Sequence, residues 1–182
     1  LSELRYHYSF TVCEYEKLYY NIMELQYVLD YYDEFFPTVV NDEDTRKSMR
    51  LDRERIYQDM EEYTQHLEAM EDDVDFRDYE ELHMVLDFLA GRSLTRDGKR
   101  EQGIVYIRKM MSRAGELDRI DMLLKGYVEL ICYGLKEGSV EWMEKYIEEA
   151  KSIEDLEAYA RERGVLLRLE GYCNIQKGEY ER

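Results

Sequence analysis

The sequence predicts an all-α protein: antiparallel helix pairs stacked as an α-solenoid, preceded by a long helical hairpin. Three observations carry that expectation. Apolar residues recur at steps of three and four over long stretches, the spacing that keeps one helical face apolar. Only one proline, Pro37, interrupts the 182 residues, and proline is the residue that most disfavours helix interiors. The C-terminal half also repeats itself at a 40-residue offset, registered by Gly98, Gly138 and Gly178.

The first helix is expected to carry Leu4, Tyr8, Thr11, Tyr15, Leu18, Ile22, Leu25, Leu29, Tyr32 and Phe36 on one face. Its end is expected at Phe36-Pro37, because a residue before proline is pushed out of helical geometry. A second long helix should open near Asn41 to Asp44, where acids favour a helix N-terminus. Its apolar face is Met49, Ile56, Met60, Tyr63, Leu67 and Met70. A short loop between two such helices makes an antiparallel hairpin. The alternative is a homodimer, with two chains pairing through these N-terminal seams.

All ten glycines fall from Gly91 onward, so the composition changes there, and residues 78–182 are read as the repeat region after a hairpin over 1–77. After Gly98 come Tyr106-Ile107 and Ser112; after Gly138 come Tyr146-Ile147 and Ser152, each shifted by 40. The glycines sit where a helix must turn back, a place where positive φ costs other residues more. Ser139 and Ser152 are expected N-caps, the latter with Asp155 three residues on. Gly115 marks a stop between helices. The helices so read are 78–93, 99–114, 116–137, 139–151 and 153–177, with a sixth opening at Glu179. Helix pairs of such a period stack by burying each apolar face on a neighbour.

The segment Leu167-Arg-Leu-Glu-Gly171-Tyr-Cys-Asn-Ile-Gln-Lys-Gly178-Glu-Tyr-Glu resembles the first helix and turn of a tetratricopeptide repeat. Gly171 and Gly178 stand seven apart, as do Gly91 and Gly98. Ile131 takes the first glycine's place in the middle repeat, and Ala150 falls where the family has a small residue in the second helix. The period of 40 departs from the family's roughly 34 residues, and the proline that usually ends the second helix is missing.

That resemblance implies a concave groove, whose inner face would carry Phe88, Arg92, Val128, Cys132, Arg168 and Tyr172. Some modules of the family clamp a peptide's terminal carboxylate with lysines, arginines and asparagines. Two arginines without asparagines fit an apolar, aromatic groove for a peptide or helix better. The resemblance also implies a sensory or regulatory module of a longer bacterial signalling protein, of transcription-regulator or diguanylate-cyclase type.

Charge narrows the partners. Residues 1–90 hold 24 acids and 8 bases, whereas residues 91–182 hold 18 and 17. An N-terminal half at −16 repels phosphate backbones, so no nucleic-acid partner is expected for this segment. No apolar run is long enough to span a membrane. Cys13, Cys132 and Cys173 lack metal-ligand or disulfide spacing and read as free thiols in a reducing cytoplasm. The chain opens at Leu1 rather than methionine and stops just after a turn signal, which points to a piece of a longer protein with an output part elsewhere.

No constellation for chemistry survives inspection, and no catalytic residue, cofactor or metal is expected. Glu80-Glu-Leu-His83 has a di-iron spacing but no second copy. The acidic run Glu71 to Asp78 lacks the glycine and glutamate that a calcium loop needs at its sixth and twelfth positions. Ser93 is outside any nucleophile elbow, and Trp142 reads as packing between repeats. The leading expectation is therefore a non-catalytic protein- or peptide-binding scaffold. The second is a helical enzyme or small-molecule sensor with a pocket between the hairpin and the repeats.

Overall fold

The computed structural model describes residues 13–39, 43–154 and 156–178. They form an all-α protein with seven α-helices and one 3-10 turn: α1 (Glu14–Val39), α2 (Glu43–Ala69), α3 (Phe76–Arg96), α4 (Arg100–Glu116), α5 (Ile120–Glu137), α6 (Val140–Lys151), the 3-10 turn Leu156–Ala158, and α7 (Ala160–Lys177). The chain divides into two compact units, Leu1–Ala90 and Gly91–Arg182. The division falls inside α3, at the first glycine of the sequence.

In the N-terminal unit, α1 and α2 pack against each other. They run antiparallel, since Glu14 at the start of α1 feels the charge of His66 near the end of α2. Leu18, Ile22, Leu25 and Leu29 of α1 share one buried cluster with Ile56, Met60 and Leu67 of α2 and Leu82, Leu86 and Leu89 of α3. These are the stripe positions of the sequence, and Tyr15, Tyr63 and Met70 pack partly buried against the same cluster. Leu4, Tyr8, Thr11 and the side chains of Tyr32, Phe36 and Met49 lie outside the described residues.

Two helix ends in this unit differ in their chemistry from expectation. Helix α1 runs through Pro37 to Val39. Proline removes one ladder bond and weakens the helix without stopping it on the spot. The acidic run before α3 is put to use as a cap: Arg77 N–H donates to Asp75 Oδ1 at 2.9 Å, satisfying one of the orphan donors of the first turn. Tyr15 donates to the Asp78 carbonyl at 3.4 Å. Burial first, and then the nearby acids Asp78 and Glu81, push its phenol up to about 12.

In the C-terminal unit, successive helices pack as α4 on α5, α5 on α6 and α6 on α7, and α5 also meets α7. Three helix ends bear the same glycine. Gly98, Gly138 and Gly178 have φ of 83°, 67° and 78°, the left-handed conformation expected of a helix C-terminus. The following N–H reaches back over the turn, Lys99 to the Leu94 carbonyl at 2.9 Å and Ser139 to the Gly134 carbonyl at 2.9 Å. Ser139 also accepts from Trp142 N–H at 3.4 Å and caps α6.

The α4–α5 turn corrects the expected stop at Gly115. That glycine stays helical, α4 continues to Glu116, and Asp118 takes the positive φ of 55°. Arg119 N–H then bonds the Ala114 carbonyl at 2.8 Å, so the turn matches the glycine ones. Aspartate is one of the few residues whose short polar side chain tolerates this region. Ser152 is likewise no N-cap. Its hydroxyl donates to the Glu149 carbonyl at 2.7 Å and closes α6, and α7 begins only at Ala160 after the 3-10 turn.

Helices α3 and α4 meet at a glycine pair. A Cβ on Gly103 would lie 2.7 Å from the Gly91 carbonyl, and one on Gly91 would lie 2.6 Å from Ile107 Cδ1. Around Gly103 the Gly91 carbonyl and the Thr95 nitrogen, at 2.7 and 2.8 Å, are backbone and cannot yield as a side chain could, so Gly103→Ala should destabilise by about 1–3 kcal/mol through overpacking. Gly115 has no atom near its missing Cβ, and Gly115→Ala should stabilise by about 0.5–1 kcal/mol through helix propensity. Urea unfolding monitored by circular dichroism checks the two signs; equal effects would contradict the crossing.

Candidate binding face

Side chains of three helices meet around Cys132 and Glu129 of α5: Arg92 and Arg96 on α3, Lys136 on α5 and Arg168 on α7, with Val128 and Tyr172 one helical turn from Cys132 and Arg168. Arg92 Nε sits 3.1 Å from Glu129 Oε1, with side-chain exposures of 15% and 20%. At that burial the pair does more than a surface ion pair, because removing either partner strands a poorly hydrated charge. The bridge ties α3 to α5.

Cys132 reports the electrostatics of the face. Burial pushes its thiol up and Glu129 adds to that, while Lys136, Arg168 and Arg96 pull against it. Cations from α3, α5 and α7 therefore act on one half-buried sulfur. Arg168 and Lys136 are exposed, so they are positioned to meet a ligand without giving up a packed site. Tyr172 adds a large ring that is 46% exposed.

Of the six residues expected to line a groove, five belong to this unit: Arg92, Val128, Cys132, Arg168 and Tyr172. Phe88 belongs to the N-terminal unit, where it is buried at 4% exposure. Residue spacing alone did not single out Arg96, Glu129 or Lys136. The signal was present, since each stands one turn or less from a residue that was chosen. Their charges become meaningful only when three helices lie side by side.

Behind the face, α6 is held by an aromatic cluster. Trp142 Nε1 donates to the Leu130 carbonyl at 2.7 Å. Its ring lies 5.2 Å from Tyr133 and 5.1 Å from Tyr146. Trp142 is thus packing between helices. Among the described residues, no group of three or more His, Cys, Asp or Glu side chains is placed to hold a metal ion. Glu80 and His83 lie on α3, where His83 is 8% exposed and stacks edge-on against Tyr79 with centroids 4.6 Å apart. No described helix is long and apolar enough to cross a membrane.

No protein-family model, no curated protein and no solved structure matches the chain. The face is therefore interpreted from its own geometry.

Removing the Arg168 charge should raise the Cys132 pKa further and slow its alkylation at pH 8, where only the thiolate reacts. Pulse labelling with iodoacetamide and mass spectrometry compares Arg168→Gln with the parent. An unchanged rate would separate α7 from the thiol.

Proposed function

We propose that the chain is a tetratricopeptide-like interaction module with no catalytic role of its own. Its ligand is an acidic peptide bearing apolar or aromatic side chains, held on the α3–α5–α7 face of the C-terminal unit. The observation that carries this reading is that Arg96, Lys136 and Arg168, from three helices, all act on Cys132, beside the Arg92–Glu129 pair. Clustered cations of this kind attract an anionic ligand and raise its rate of encounter.

Arg92 is committed to Glu129, which makes it the positioning element of the face. Arg168 and Lys136 supply the steering charge. Val128 and Tyr172 supply apolar contact, the mixture that lets a groove take a short peptide rather than a bare anion. Repeat arrays offer this geometry because each first helix adds one strip to a common surface. The remainder of the proposal rests on the family resemblance alone: the module serves as the sensory or regulatory part of a longer bacterial signalling protein.

The test uses a fluorescein-labelled peptide of alternating Asp and Glu with one Leu and one Phe, measured by fluorescence anisotropy. Binding should weaken as salt rises from low to high ionic strength, because exposed charges are screened over about 10 Å at 0.1 M. The Lys136→Glu, Arg168→Glu double variant should bind about tenfold more weakly with an unchanged circular dichroism spectrum. Salt-independent binding, or full binding by the double variant, would remove the face from the function.

A further inference from the structure

The turn between α2 and α3, in the N-terminal unit, presents an aromatic ring among acids. Residues 71–78, Glu-Asp-Asp-Val-Asp-Phe-Arg-Asp, hold five acids and one base. Glu71, Asp72 and Asp73 are exposed. Phe76, the first residue of α3, is 71% exposed, the most of any large apolar side chain among the described residues. A ring that folding leaves in water is available to bury on a partner.

The backbone of this turn is tied down. Asp73 N–H donates to the Met70 carbonyl at 2.9 Å, and Asp75 caps α3 through Arg77 N–H. Arg77 itself pairs with Glu81 one turn along α3, at 3.6 Å, which keeps the one base of the segment on its own helix. Acids and ring are therefore offered in a set arrangement, and docking costs little ordering.

Acids beside an aromatic ring are the chemistry of the ligand that the α3–α5–α7 face fits. Lys136, Arg168 and Tyr172 are exposed on that face. Asp72 and Asp73 precede Phe76 by four and three residues, a stretch that spans at most about 14 Å. An acid can thus meet Arg168 or Lys136 while the ring meets Tyr172. Charge favours a head-to-tail meeting of copies as well. Residues 1–90 stand at −16 and residues 91–182 at −1, so turn on face sets the acidic unit of one copy against the cations of a near-neutral unit. Two N-terminal units brought together would oppose like charge.

We propose that the 71–78 turn of one copy docks on the α3–α5–α7 face of a second copy, with Asp72 and Asp73 against Lys136 and Arg168 and the Phe76 ring on Tyr172. That assignment rests on the peptide-binding reading of the face. Turn and face are different surfaces, so the contact is heterologous and each end of a dimer can take a further copy.

Sedimentation of the full chain over a concentration series tests this with two variants. The turn variant carries Asp72→Asn, Asp73→Asn and Phe76→Ser; the face variant carries Lys136→Glu and Arg168→Glu. All five side chains are exposed, so both variants should keep the parent's melting temperature. The parent should form dimers and longer species as concentration rises, and each variant alone should stay monomeric. An equimolar mixture of the two should stop at a one-to-one dimer, because it offers only one intact turn and one intact face. A monomeric parent, a variant that associates alone, or a mixture without that dimer would overturn the proposal. A fluorescein-labelled peptide of residues 70–79 separates this from the wider reading. It should bind the parent about tenfold more tightly than the same peptide with Phe76→Ser. If it fails where the Asp/Glu peptide with Leu and Phe binds, docking of a second copy is wrong and the peptide-binding face stands; if neither binds, both are wrong.

Discussion

The left-handed turn with a hydrogen bond reaching back across it is the constraint on which the C-terminal unit depends. It occurs at Gly98, Asp118 and Gly138, at intervals of 20, and the same positive φ recurs at Gly178 after a further 40. The turns at Gly98, Asp118 and Gly138 satisfy carbonyls that the helix end would leave orphaned and start the next helix of the array. The missing member of the series, position 158, falls in the 3-10 turn Leu156–Ala158. With these points set, α5 and α7 both run 18 residues up to a left-handed glycine, and their equivalent side chains fall at equivalent heights. That is why α3, α5 and α7 bring Arg92, Cys132 and Arg168 to one face.

Packing then refines what the turns allow. The glycine pair Gly91–Gly103 lets α3 and α4 approach until backbone meets side chain, and Gly134 does the same for Trp142. Polar interactions stand where helices need orienting: Arg92 to Glu129 across α3 and α5, Arg100 to Glu137 from the start of α4 to the end of α5, Arg108 to Tyr146 across α4 and α6. Each links different helices, so each resists sliding of one helix along another. Surface ion pairs within a helix, such as Lys145 with Glu149 at 4.0 Å, add little.

Helix type and apolar faces were legible in the sequence because they rest on periodicity, which a chain displays locally. The α1 and α2 stripes buried Leu18, Ile22, Leu25, Ile56, Met60 and Leu67 as their spacing required. The three registered glycines were legible for a related reason, since positive φ selects one residue type strongly. Asp118 was hidden because aspartate is common on surfaces and only occasionally takes that conformation, so its identity carries little information. Ser152 misled because a serine next to a helix end caps either direction, and its neighbours do not say which. The cationic face was half legible. Arg92, Cys132 and Arg168 were expected only through the repeat resemblance, while Lys136, Arg96 and Glu129 required knowing which helices lie side by side.

The central claim is that a left-handed turn residue sets the register of the array, and its most direct measurement is chiral. Gly138 can be replaced by L-Ala through mutation and by D-Ala through peptide ligation, and nothing lies within 4 Å of its missing Cβ. Its φ of 67° suits the D residue and costs the L residue about 1–2 kcal/mol. Thermal unfolding should therefore show D-Ala at or above the glycine protein and L-Ala several degrees below it. Equal melting temperatures for the two enantiomers would contradict the left-handed turn and the register built on it.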